Sequence, residues 1–290
     1  MSVDVFIPTW NSGKTLKATL NSLVTAEVPI SRLLILDVSS TDDTFNISKT
    51  FCEKHGIPLV FRAVKRGLGY ARYVAQEIVE TPYYVRLDAD ILLTPGWYKQ
   101  LKRRLDEDPT CAFASSMIMF GDKGTVVYRI HEFKRHLCEF QPCVGSTLIR
   151  RSHTDFTCIK DVYVGEDSCY VRHLIDGGGH YIVDYSVVSH HPRTLRGDLE
   201  HLYTWGRGAR EIGYNFFVQT GRLVLSLGQG FRYVAHTGDP CMIGWIPLRQ
   251  AMWYLGYLSY RGPIRGHYDL REEKRIFMVA RRMALNAYSV

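Results

Sequence analysis

An α/β layered domain with a mainly parallel sheet, followed by a helical, basic and aromatic C-terminal extension, is the architecture the sequence predicts. Two observations point to the layered domain. Strand-like and helix-like segments alternate from the first residues, and several of the strand-like runs are continuously aliphatic, as buried parallel strands are. A third observation, the distribution of charge, sets off the extension. The 290 residues carry a net charge of +7, and all of it lies in residues 193–290, where 14 Lys and Arg stand against 7 Asp and Glu. Residues 1–192 hold 22 of each, so we place a domain over 1–195 and a helical region over 196–290.

The elements follow in order. "VDVFIPTW" (3–10) is a short apolar strand ending near a proline. In "NSGKTLKATLNSLVTA" (11–26), Leu16, Leu20, Leu23 and Val24 recur at helical spacing behind polar capping residues. "RLLILD" (32–37) is a buried strand, and "SSTDDTFNISKTFCEKHG" (39–56) a helix that Gly56 stops. "IPLVFRAV" (57–64) is a third strand, "GLGYARYVAQEIVE" (67–80) a helix and "YYVRLD" (83–88) a fourth strand. After residue 110, "CAFASSMIMF" (111–120), "TVVYRI" (125–130) and "CVGSTLIR" (143–150) are expected as strands. "VGEDSCYVRHLIDGGGH" (164–180) is a helix running into a glycine stop, and "YIVDYSVVSHHP" (181–192) a last strand.

Composition excludes some classes. An apolar fraction of 46% with 22% charged residues is that of a globular chain, not a disordered one. The opening "MSVDVFIPTW" has no basic segment, long apolar core or cleavage site, so no secretory signal is expected. Seven scattered cysteines without a C-x-x-C pair suit reduced thiols in the cytosol better than a disulfide or zinc framework.

Chemistry-bearing residues gather at strand ends. In parallel α/β sheets ligands collect beyond the carboxyl ends of the strands, and Asp37 and Asp88 stand there. Asp88-Ala89-Asp90 sets two carboxylates one residue apart where an apolar run stops. Such a triplet alone ends many strands by chance. It also suits a divalent hard cation, since one carboxylate can bind the metal while the other meets a sugar or ribose hydroxyl.

The motifs "FIPTWNSGKTLKATLNSL", "LILDVSSTDDT", "RGLGYARYVAQE", "RLDADILLTPGW", "GSTLIRRS", "GED" and "VVSHHP" occur in this order over residues 3–192. Together they resemble the family 2 glycosyltransferases, whose catalytic domain has the GT-A fold. The resemblance implies transfer of a sugar, with inversion, from a UDP- or GDP-linked nucleotide-sugar to an acceptor hydroxyl, assisted by Mn2+ or Mg2+. It makes Asp90 the direct metal ligand, Asp88 the ribose or donor contact, and Asp37 the acceptor of a hydrogen bond from the nucleobase. Pro8, Thr9 and Asn11 match the first donor loop, and Arg66, Gly67 and Arg72 a third nucleotide-side segment where a cation meets the diphosphate or simply faces solvent. Asp167 is implied as the base that deprotonates the acceptor, with Glu166 beside it, although an acidic first helical turn is also a common stabilising feature. His190 falls at the family position that completes the metal shell, and His191 replaces it if the register slips by one. Trp97 packs under the loop or forms an acceptor platform. The chain departs from the family's Asp-Asp-Gly-Ser at Val38 and Ser39.

The extension points to a partner. "CMIGWIPLRQAMWYLGYLSYRG" (241–262) is apolar but interrupted by Pro247 and Arg249, so it suits an interfacial segment better than a span. Trp245, Trp253, Tyr254, Tyr257 and Tyr260 would sit at headgroup depth. Farther on, Ile276, Val279, Ala280 and Met283 share one helical side, with Arg271, Lys274, Arg275, Arg281 and Arg282 around the others. Residues 241–290 are thus expected to make a peripheral contact with the cytosolic face of a membrane, where the acceptor is a glycan or a lipid-linked sugar. The competing expectation is a helical subdomain that packs on the core or pairs two chains as a homodimer. Nucleic acid is not expected, because no binding motif accompanies the charge. Three functional alternatives stand beside the leading one: a catalytically silent nucleotide-binding or assembly subunit, a polyprenyl-phosphate glycosyltransferase, and a nucleotidyltransferase. The last would need a glycine-rich basic loop after the first strand, which "IPTWNSGKTL" lacks.

Overall fold

A computed structural model of the chain describes residues 1–64, 67–136, 145–153, 155–162 and 166–264. The first strand, β1 (Val3–Thr9), is buried along its whole length. It leads into α1 (Leu16–Thr25), whose Leu16, Leu20 and Leu23 are fully buried, each contributing about 1.5–3 kcal/mol of apolar burial. Val24, expected on the same face, is exposed instead. β2 (Ile30–Asp37), α2 (Thr44–His55), β3 (Leu59–Ala63), α3 (Leu68–Ile78) and β4 (Tyr83–Leu87) continue the alternation. Gly56 ends α2 in the left-handed conformation, as its place after the last periodic residue predicts.

A two-residue strand, β5 (Leu92–Leu93), precedes α4 (Trp97–Glu107), then β6 (Cys111–Phe120). The segment "TVVYRI", expected as a strand, lies in α5 (Val126–His136). Its β-branched pair misleads over six residues, but Val127, Ile130 and Phe133 are buried at helical spacing. β7 (Ser146–Arg150), two short 3-10 turns (Arg151–His153 and Thr157–Ile159), α6 (Glu166–Asp176) and β8 (His180–His191) follow. The chain then forms α7 (Leu195–Glu211), α8 (Phe216–Thr237) and α9 (Met242–Ser259).

Among the described residues, eight strands form one sheet in the order β3-β2-β1-β4-β7-β6-β8-β5. The four strands β1 to β4 pair in parallel, whereas β4–β7, β6–β7 and β5–β8 are antiparallel. Parallel pairing brings the carboxyl ends of β1, β2 and β4 to one edge, with Thr9 opposite Asp37. The antiparallel half places the β8 terminus, and with it His190 and His191, beside β5.

The described residues of 1–118 and 145–191 form one compact unit, and those of 119–136 and 192–264 a second. In the helical unit, Ile130 and Phe133 of α5 pack with Tyr233 of α8 and with Met242 and Ile246 of α9. Helices α7 and α9 cross at Gly206 and Gly256, where a Cβ on either would overlap the other helix's backbone. Asp198 of α7 pairs with Arg249 of α9 in the interior, and burial, with help from Arg193, brings the Arg249 guanidinium down to about 9. Removing one partner of such a pair costs about 3–5 kcal/mol.

The aromatic side chains of α9 need a correction. Tyr257 is 1% exposed, stacks on Trp253 and on Tyr254, and donates its hydroxyl to the Tyr214 carbonyl at 2.7 Å. It belongs to the interior, not to headgroup depth. Helix α9 runs through Pro247 and Arg249, which interrupt its apolar run without ending it. The expected features at Arg271, Lys274, Arg275, Ile276, Val279, Ala280, Arg281, Arg282 and Met283 lie outside the described residues.

Candidate active site

At the ends of β1 and β2 two loops are laced together through one carboxylate. Asp37, 4% exposed, accepts from the Thr9 hydroxyl at 2.7 Å and from the Ser40 hydroxyl and amide at 2.6 and 2.8 Å. The Ser40 oxygen in turn accepts from the Asn11 amide at 2.7 Å, and Asn11 Oδ1 accepts from the Thr41 amide at 2.9 Å. Asn11 and Ser39 both hold left-handed backbones, at φ 49° and 61°. Each such residue costs about 1–2 kcal/mol, and these hydrogen bonds offset that cost. Ser39 therefore makes a glycine-like turn without being glycine. Pro8 is buried opposite Leu36 in the sheet, while Trp10, in the same loop, is 67% exposed.

The Asp88-Ala89-Asp90 turn is pinned from two sides. Helix α1 holds it through Thr19 Oγ1, which donates to the Ala89 carbonyl at 3.0 Å, and through Ser22 Oγ, which accepts from the Leu93 amide at 3.0 Å. The Asp88 amide donates to the Gly145 carbonyl at 2.8 Å, and a Cβ at Gly145 would overlap the Asp88 carboxylate. Only glycine leaves that carboxylate its place.

Asp90 meets a histidine. Its Oδ2 lies 2.9 Å from Nε2 of His191, with the carboxylate side chain 35% exposed and the imidazole 10%. His190, the position implied by the family pattern, instead pairs in register with Leu92 across β5 and β8. Neighbouring residues of a strand face opposite sides, so the slip by one residue decides which imidazole Asp90 meets. Trp97 is fully buried, which leaves it a packing role under this loop and removes it as an acceptor platform.

A third group of charges lies between α3, β4 and α6. Arg72, almost fully buried on α3, donates to Asp88 Oδ1 and to Asp167 Oδ1, each at 3.0 Å, and pairs with Glu166. Arg86, fully buried on β4, donates to the same Asp167 oxygen at 2.6 Å. Burial alone would raise the Asp167 carboxyl, but the Arg86 and Arg72 guanidiniums outweigh it and hold the group below the usual carboxylate range. Arg86 itself is pushed down by burial and by Arg72, with Asp167 and Asp88 opposing.

The structure thus gathers Thr9, Asn11 and Asp37 in one loop pair, Asp90 with His191, and Asp88, Glu166 and Asp167 around Arg72. Gly67 caps α3 through its carbonyl, which accepts from the Ala71 amide. Arg66 lies outside the described residues. Arg72, placed by motif order among the nucleotide-side residues, turns its guanidinium onto three carboxylates. Arg86 is not among the site residues the motifs name. Its signal was an arginine inside the strand run "YYVRLD", where burial of both faces demands a charged partner.

Comparison with known proteins bears on the whole arrangement. The family model described as glycosyl transferase family 2 matches residues 4–159. A solved mannosyltransferase from Pyrobaculum calidifontis, in complex with GDP-Man and Mn2+, is similar at TM-score 0.55 and 16% identity, over 99% of this chain and 81% of that one. Glucosyl-3-phosphoglycerate synthase from Mycobacterium tuberculosis, in complex with Mn2+, UDP-glucose and phosphoglyceric acid, is similar at TM-score 0.50 and 20% identity, over 70% and 75% of the two chains. Among curated proteins, the uncharacterized glycosyltransferase YibD of Escherichia coli (strain K12) is 26% identical over 106 residues, which is 37% of this chain and 31% of that one. The match therefore spans about a third of that relative's length. These likenesses place the fold in the GT-A class.

Proposed function

The chain belongs to glycosyl transferase family 2, and from that membership we propose that it moves a sugar, with inversion, from a UDP- or GDP-linked donor to a hydroxyl of a glycan or lipid-linked acceptor. In this reading residues 1–195 are the catalytic domain and 196–290 the helical region. The observation that carries the reading is the convergence at one sheet edge of the Thr9–Asp37 loop pair and the Asp88-Ala89-Asp90 turn, with Asp90 against His191.

Each residue has a task that its surroundings suit. The laced β1 and β2 loops receive the nucleoside, with an Asp37 oxygen as acceptor for a base N–H and exposed Trp10 as an aromatic surface beside it. Asp88, fixed by the Gly145 carbonyl, orients the ribose or donor sugar. Asp90 and His191 offer a carboxylate oxygen and an imidazole nitrogen 2.9 Å apart and partly open, a donor pair that would hold Mn2+ or Mg2+. A divalent cation held there would supply positive charge opposite the departing diphosphate. Asp167, ionised beside two guanidiniums, takes the acceptor's proton as its oxygen attacks the anomeric carbon. The new C–O bond forms as the bond to the diphosphate breaks, and this single displacement inverts the centre. The Mn2+ complexes with UDP-glucose and GDP-Man recorded for the two similar structures support the donor class.

The exposed apolar side of α8 supports a peripheral contact with the cytosolic face of a membrane, beside the contact expected through residues 241–290. Phe217 is 80% exposed, and Val224, Leu227 and Phe231 extend an exposed apolar stripe along the helix. Helix α8 carries Arg222 and Arg232 and no acidic residue, a charge that matches an anionic lipid surface. No helix among the described residues is long and apolar enough to cross a membrane.

The test is nucleotide release. Purified protein is incubated with a panel of UDP- and GDP-sugars, Mn2+ and membrane lipid extract, beside an Asp90→Ala control. Release by the wild type alone supports the reading, and equal release across the panel from both proteins sinks it.

A further inference from the structure

Asp167 is a strange base on its face, because it is gripped by two buried cations. Arg86 Nη2 and Arg72 Nη1 both donate to its Oδ1, at 2.6 and 3.0 Å, and Arg72 Nη2 also reaches Asp88 at 3.0 Å. We propose that Arg72 and Arg86 are positioning residues for Asp167, fixing the orientation of its carboxylate and keeping it ionised, and that Arg72 ties it to Asp88 on the donor side. The proposal rests on the reading of Asp167 as the acceptor's base.

Geometry and charge carry it. The two guanidiniums come from separate elements, α3 and β4, so Asp167 is held from two directions and on one oxygen, which leaves Oδ2 for the incoming hydroxyl. The charged groups facing it are Arg72 from α3 and Arg86 from β4, with Asp88 beyond β4 reaching the cluster through Arg72. On its own helix the neighbour is Glu166, which Arg72 also holds. Arg86 is fully buried, and its Nε and Nη1 have no hydrogen-bond partner among the described residues. Its main compensation is therefore the anion at Asp167. Protonating that carboxyl would strand a buried cation, so the pair resists it. A base made this way is weaker in proton affinity but stays in the accepting form.

The experiment follows the carboxyl itself. Aspartate labelled at the side-chain carboxyl carbon gives an NMR resonance for Asp167, assigned by its loss in Asp167→Asn. In the wild type it should stay ionised down to the lowest pH at which the protein is folded. Arg86→Met should move its midpoint up by about one pH unit or more, and Arg86→Lys by less. Should Arg86→Met fail to fold, Arg72→Gln leaves β4 intact and carries the same expectation. In parallel, the pH dependence of kcat/KM with UDP-glucose or GDP-mannose and Mn2+ should show its acidic limb shifted in the same direction. An unmoved Asp167 midpoint in folded variants overturns the proposal while the base reading stands. Wild-type turnover by Asp167→Asn overturns the base reading, and the proposal with it.

Discussion

Oδ2 of Asp90 and Nε2 of His191 face each other at 2.9 Å, across the join between the β4 turn and the end of β8. Sequence order separates them by about a hundred residues, and the antiparallel pairing of β5 with β8 brings them together. Removing either should weaken metal-dependent turnover. Asp90→Asn is expected to lower kcat/KM by about a hundredfold or more, consistent with several kcal/mol of charge stabilisation. His191→Ala should raise the Mn2+ concentration for half-maximal rate, and His190→Ala should do so far less. A larger effect at His190 would contradict the register.

Gly145 tests the Asp88 position without touching a carboxylate. Gly145→Ala puts a methyl group where the Asp88 carboxylate now lies. Displacing a contact group by about 1 Å can cost roughly a hundredfold in rate, so kcat/KM should fall by that order while the circular-dichroism spectrum is unchanged.

Ser39 holds a left-handed backbone at φ 61°. Ser39→Gly relieves about 1–2 kcal/mol of strain but adds about 0.5–1 kcal/mol of chain entropy. The expected net gain is about 0.5 kcal/mol of stability, read as a small rise in Tm.

Burial would raise the Asp108 carboxyl, but its hydrogen bonds from Thr110 and the His180 ring outweigh this and lower it to about 2. An ordinary aspartate titrates near 3.9. Because the folded value is the lower one, the contribution to stability is complete above about 4 and lost as pH falls toward about 2. Thermal melts of Asp108→Asn should lie below wild type near neutral pH and converge with it through that window.

The α8 stripe makes its own prediction. Phe217→Glu with Phe231→Glu should cut sedimentation with anionic vesicles by about tenfold or more, as loss of a buried aromatic side chain implies. Full-length protein that never sediments with such vesicles would remove the membrane from the account.

In the parallel half, β2 reads as an aliphatic run whose Leu33–Asp37 are buried, and β1 is buried along its whole length. Strand β6 was expected over the very residues it occupies, Cys111–Phe120. Helix α4 went unseen because its polar surface hides a sparse repeat: only Trp97, Leu101 and Leu105 are buried along it. In α5 a β-branched pair outweighed the helical spacing of Val127, Ile130 and Phe133. Pro247 lies inside α9, where it forfeits one i→i−4 hydrogen bond without ending the helix. At the site, motif order named the carboxylates: Asp37, Asp88 and Asp90 sit at or just past strand ends, and Glu166 and Asp167 in the first turn of α6. It did not name their partners. Arg86 reaches Asp167 through the folded arrangement of β4 and α6, and the choice between His190 and His191 depends on strand register, which a one-residue slip inverts.

The most direct measurement is a calorimetric titration of UDP and of GDP into the protein with and without Mn2+. One nucleotide should bind at least about tenfold more tightly with the metal, and Asp90→Ala should abolish that difference. Nucleotide binding that is indifferent to both Mn2+ and Asp90, or absent altogether, would contradict a metal-assisted donor site at the end of β4.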